Sequence, residues 1–160
     1  MGQRRKAREC ALQILFQLEF NAGDPKDLVR VYWEHQKASR EVREYGTWIV
    51  ETIVGHGSEI DEAIQAASKN WRLARMAVVD RNILRIAVCE LLYEPALVPA
   101  IVMDEAIEIA KRYSGEESAV FVNGVLDAVV RNLGSAVAKA GAAAPGKEGE
   151  HEQKRRARRA

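Results

Sequence analysis

The residues with the most chemistry to offer are four cations. Arg4, Arg5, Lys6 and Arg8 open the first helical segment, "RRKARECALQILFQLEF" over residues 4–20, and no acidic residue precedes Glu9. A helix N-terminus carries partial positive charge, so each cation there costs a few tenths of a kcal/mol. A polyanion bound at that end would offset the cost. At about 100° per residue, Arg5, Leu12 and Phe16 point within about 40° of one another, away from the stripe Ala7, Ala11, Ile14 and Leu18. Cations that take phosphates beside a ring that stacks on a base suit a single nucleic-acid strand. Leu12, Phe16 and Phe20 equally fit a second apolar stripe packed on a neighbouring helix.

A second cluster lies in "SAVFVNGVLD", residues 118–127. Phe121 points away from the centre of the stripe Val122, Val125, Leu126 and Val129, and Gly124 lies near it. A mid-helix glycine costs about 1 kcal/mol relative to alanine. It needs a close-packed helix or a close ligand to justify it, and both readings stand.

Catalytic chemistry finds no footing. There is no phosphate-binding glycine loop, no GxSxG and no HExxH. His35, His56 and His151 are scattered, so no metal spacing exists and no cofactor is expected. Cys10 and Cys89 sit inside apolar helical patterns and read as buried free thiols of a reducing cytoplasm. No apolar run reaches the ~18 residues of a membrane span, and the basic start lacks a signal peptide's apolar stretch.

The elements that must position these residues read as helices throughout. After 4–20, Asp24-Pro25 caps a short helix over 25–36 and Ser39 caps another over 40–54. Ser58-Glu59-Ile60-Asp61 resembles a capping box for a helix ending near Ser68. "NWRLARMAVVDRNILRIAVCELLYEP" carries a wide apolar face and reads as the buried centre, stopped by Glu94-Pro95. Helices over 100–114 and 117–132 follow, with Glu108 and Arg112 spaced to pair on the outside. No strand alternation or long repeat appears. The fold class is all-α: one domain over 1–133, then a low-complexity basic tail over 134–160, expected to be disordered.

The net charge of +1 hides a segregation. Residues 1–8 hold four basic residues and no acidic one; residues 133–160 hold seven basic and three acidic. The body between is therefore acidic, which suits a basic protein partner or simply solubility. The terminal "KRRARR" suits nucleic acid or an inert tail equally well.

"RRKARECALQILFQLE", "DRNILRIAVCELLYE", "DEAIEIAKRY" and "FVNGVLD" occur in this order, and together they resemble the NusB-type transcription antitermination family over residues 4–132. The resemblance implies seven helices in two small bundles. It implies binding of boxA, a short single-stranded RNA of ribosomal RNA leaders, as a heterodimer with the ribosomal protein NusE. It further implies action on RNA polymerase with other Nus factors, and leaves a homodimer possible in the free state. By position, it makes Arg4, Arg5, Lys6, Arg8, Phe16, Glu117 and Phe121 RNA-site residues, and Asp80 and Arg81 partner contacts. On that reading, replacing Arg4, Arg5 and Arg8 together weakens RNA binding and leaves the fold intact. Asp104, Cys89 and the basic tail depart from the family pattern. Two alternatives are a non-catalytic helical interaction module and a domain related to the N-terminal part of ribosomal RNA cytosine methyltransferases. The second lacks a glycine-rich strand–helix loop for S-adenosylmethionine.

Overall fold

Apolar periodicity and caps place most helix boundaries, and a computed structural model gives the three-dimensional arrangement. It describes the backbone of residues 2–143 and the side chains of residues 2–135. The helices are α1 (Gly2–Phe20), α2 (Pro25–His35), α3 (Arg40–Gly55), α4 (Gly57–Ala67), α5 (Val78–Tyr93), α6 (Pro99–Tyr113) and α7 (Glu116–Ala143). A single 3-10 turn, Leu73–Arg75, precedes α5. No strand occurs among the described residues.

The caps form where the side chains allow. Asp24 accepts from the Lys26 N–H at 3.0 Å with Pro25 in the first turn, and Ser39 Oγ accepts from the Val42 N–H at 3.2 Å. The capping box expected at Ser58 is not used. Instead α3 runs to Gly55, and His56 alone separates it from α4. Gly115, at φ 114°, lies in the left-handed region and turns the chain from α6 into α7; its N–H donates to the Ala110 carbonyl at 2.9 Å.

Residues 1–129 form one compact unit. Within it α1, α2 and α3 pack on one another, and α5 meets α1, α3, α4 and α6. The expected stripe on α1 is buried at Ala7, Ala11 and Ile14, but Leu12 and Leu15 are buried too. So α1 shares the centre of the unit with α5, whose Leu84, Val88 and Cys89 are fully buried. Gly46 lets α1 and α3 approach closely: a Cβ there would lie 3.1 Å from the Trp33 ring and 3.3 Å from the Ala7 carbonyl oxygen.

The second unit begins at Val130, and in it the α7 backbone stays helical to Ala143. The helix therefore passes both the expected end at 132 and Gly134. Alanine is the best helix former, and "AVAKAGAA" supplies enough of it to carry the backbone past Gly134 and its own Gly141. The tail expected to be disordered is helical as far as Ala143, and the remainder of 134–160, with "KRRARR", lies outside the described residues.

Candidate nucleic-acid interface

The four cations of α1 divide into two kinds. Arg4 and Lys6 are exposed, and the Arg4 guanidinium lies 4.0 Å above the Tyr45 ring, a cation–π contact that holds it against α3. Arg5 is about one-third exposed; its Nε and Nη2 donate to the two oxygens of Glu105 at 2.7 and 3.1 Å. The Arg5 hydrogen bond, opposed by burial and assisted by the Arg5 and Arg8 charges, holds the Glu105 carboxyl below its ordinary range.

Arg8 corrects the sequence expectation. It is only 3% exposed, and its Nε and Nη2 donate to the two oxygens of Glu90 at 2.8 and 2.9 Å. Burial alone would lower its pKa, but the Glu90 hydrogen bonds and charge outweigh that and leave it raised. Tyr45 donates its hydroxyl to the same carboxylate. Arg8 is therefore a structural cation inside the helix packing, with no surface to offer a phosphate. An uncompensated carboxylate would remain buried without it.

A further outward cation comes from α6. Arg112 is not paired with Glu108, as its spacing suggested; its Nη1 donates to Glu9 on α1 at 2.8 Å, and Glu108 meets Lys111 instead at 3.7 Å. The Arg112 side chain is 68% exposed while Glu9 is buried. Arg5–Glu105 and Glu9–Arg112 fix α6 alongside α1, so Arg112 lies one to two helical turns from Arg5 on the same flank.

The aromatic candidates are accessible. Phe16 is 42% exposed and leans on Phe20, ring centres 5.1 Å apart, so its pairing is within α1 and open to solvent. Phe121 is partly buried and meets Trp71 edge-on at 6.2 Å. Trp71 is 59% exposed and was not singled out from the sequence. "NWRLAR" read as the start of the central helix; it is instead a loop and a 3-10 turn that present the ring. Its backbone is held by Gln65, which donates to the carbonyls of Ser68 and Trp71 and accepts from the Leu73 N–H. A Cβ on Gly124 would meet nothing within 4 Å, so close packing inside this unit does not explain that glycine. Glu117 is exposed in the first turn of α7.

Asp80 and Arg81, the expected partner contacts, are each held by neighbours within the chain. Asp80 is 8% exposed and accepts from the Ser118 hydroxyl at 3.2 Å. Arg81 meets Glu19 at 3.0 Å and donates to the Leu73 and Ala74 carbonyls, tying the 3-10 turn to α1. Arg85 joins the same cluster through Glu19 and Asp61. Both lie in the first turn of α5, where Asp80 lines a cleft with Trp71 and Phe121 and Arg81 lines a groove with Leu73 and Ala74.

Among the described residues no group of three or more His, Cys, Asp or Glu could hold a metal ion, and no helix is long and apolar enough to cross a membrane. Cys89 is buried, and burial followed by the Glu90 charge pushes its thiol up to about 12.

The chain is similar to known proteins along most of its length. The NusB family model matches residues 5–131. The transcription antitermination protein NusB of Sorangium cellulosum (strain So ce56) is 46% identical over 134 residues, covering 84% of this chain and 96% of that protein. The solved structure of T. maritima NusB superposes with a TM-score of 0.72 at 38% identity, over 80% of this chain and 90% of that one. A chain from the crystal structure of antitermination factors NusB and NusE in complex with dsRNA gives a TM-score of 0.75 at 30% identity, covering 82% of this chain and 98% of that one.

Proposed function

Because this chain belongs to the NusB family, we propose that it acts in transcription antitermination as an RNA-binding, non-catalytic factor. Its ligand is the boxA-type single-stranded element of ribosomal RNA leaders, and it binds that element together with the ribosomal protein NusE. The pair then acts on RNA polymerase with other Nus factors. The observation that carries the reading on this chain is the outward cation set of α1 and α6, in which Glu105 and Glu9 hold Arg5 and Arg112 and the Tyr45 ring carries Arg4. Arg4, Arg5, Lys6 and Arg112 take phosphates, while Phe16 and Phe121 meet bases and Glu117 borders them. Arg8 positions the set through Glu90. The acidic body favours a basic ribosomal protein as the second partner.

Single-stranded RNA is favoured over a duplex because exposed rings can stack only on unpaired bases. With about four phosphates neutralised on a single strand, log K against log salt slopes near −3. The test is fluorescence anisotropy on a boxA-type oligomer, with and without the ribosomal protein. Tighter binding by the mixture than by either protein supports the scheme. A salt-independent affinity, or equal competition by a duplex of the same length, overturns it.

A further inference from the structure

The cleft where α7 begins carries a feature that the cation set does not use. Asp80 lines it, is more than nine-tenths buried, and leaves its Oδ1 with no hydrogen-bond partner. Its other oxygen is taken by Ser118. A buried acceptor without a donor is costly, and in a native structure it asks for a ligand or another explanation. The walls around it are Trp71, Met76 and Phe121, with Arg75 exposed beside them, enclosing about 280 Å³. Trp71 meets Phe121 edge-on, and its side chain is largely exposed.

We propose that this cleft is a base-reading subsite: an unpaired RNA base that bears an amino group stacks between Trp71 and Phe121 and donates that amino group to Asp80 Oδ1. The inference rests on the RNA-binding reading above and deepens it. Oδ1 is shielded from solvent, so the base reaches it only as the side chains lining the cleft move aside. Two flat rings give stacking for any base. The carboxylate supplies the choice. Adenine, cytosine and guanine each present an exocyclic amino donor, whereas the single N–H of uracil's pairing edge lies between two carbonyl oxygens that a carboxylate repels. Asp80 and Glu117 make the cleft itself anionic, so the phosphates of the bound strand stay at the rim, on the exposed Arg75.

The experiment uses the full chain and a boxA-type RNA oligomer in which each amino-bearing base is replaced, one at a time, by its analogue lacking that amino group. One position should lose about tenfold in affinity on the unmodified protein and show no loss on Asp80→Asn, whose amide oxygen keeps the Ser118 hydrogen bond and puts an NH2 donor where Oδ1 was. Trp71→Phe, which keeps a ring, retains that discrimination; Trp71→Ala weakens binding of every oligomer. Trp71 is exposed, so its variants test the site even where Asp80→Asn disturbs the start of α5. If no position separates the unmodified protein from Asp80→Asn while the α1 cations still govern affinity, this inference fails and the RNA-binding reading stands. If Trp71→Ala abolishes binding of the ribosomal protein but leaves RNA affinity unchanged, the cleft is a protein contact and the inference fails. Absence of any RNA binding takes down both.

Discussion

The start of α1 and the cleft at the start of α7 hold polar groups in opposite conditions. At the α1 start every buried charge has a partner: Arg8 has Glu90, Glu105 has Arg5, and Glu9 has Arg112. In the cleft the buried Asp80 keeps one oxygen unanswered. The first region is complete without a ligand and can only present charge from a fixed frame. The second becomes complete only when something donates into it. A region of the first kind gives affinity and salt dependence, because phosphates carry no sequence. A region of the second kind gives choice between bases.

The largest break in that comparison comes from removing a partner inside the frame. Arg8→Ala or Glu90→Ala leaves one charge buried and unpaired, and should destabilise the protein by about 3–5 kcal/mol. Chemical denaturation followed by circular dichroism reads this directly, and a loss below about 1 kcal/mol would mean the pair is not the frame described here. This reverses the sequence expectation that Arg8 can be removed with the fold intact. Next in size is the outward set. Arg4→Ala, Lys6→Ala and Arg112→Ala together should lower RNA affinity about 50-fold at physiological salt and flatten the salt slope by about 2. Arg4→Ala and Lys6→Ala alone should hardly move the melting temperature, since both side chains are exposed, whereas Arg112→Ala also leaves the buried Glu9 unpaired and lowers it.

The division between frame and outward set could not be read from the sequence, and the reason is distance along the chain. Helical periodicity placed Ala7, Ala11 and Ile14 in the core correctly because that pattern is local. The partners of Arg8 and Arg5 lie 82 and 100 residues away, where no local spacing points to them. The helix-dipole argument flagged all four cations alike, since it measures only their place on α1. Trp71 was legible in principle: an aromatic with Lys69, Arg72 and Arg75 around it has the cation–aromatic interleaving of a strand-binding surface. It was hidden because the segment shares its apolar content with α5 and has no glycine or proline to mark it as a loop. The caps at Asp24 and Ser39 were legible because one side chain and one N–H two or three residues on suffice to make them.

A smaller effect tests whether the frame is held by charge. Glu105 titrates below the ordinary carboxylate range in the folded chain, chiefly through the Arg5 hydrogen bond. Its contribution to stability is therefore fully present above the unfolded carboxylate pKa of about 4.3 and is lost as pH falls through the folded value. Glu105→Gln should cost about 1–2 kcal/mol at neutral pH and remove this part of the acid dependence. A variant whose stability falls with acid as steeply as the unmodified protein would show that Glu105 is not the titrating group.

The smallest change separates stability from binding at one residue. Gly124 sits mid-helix in α7 with open space where a Cβ would go, so Gly124→Ala meets no steric obstacle inside its unit. Helix propensity then predicts a gain of about 1 kcal/mol in stability, read by thermal or chemical unfolding. If the bare backbone beside Phe121 is an approach surface for RNA, the same methyl group stands in the way, and affinity should fall severalfold while stability rises. Opposite signs from one substitution are hard to obtain from a residue that serves the fold alone. A variant that is more stable and binds RNA unchanged would make Gly124 neutral to function and confine the α7 contact to Phe121 and the cleft.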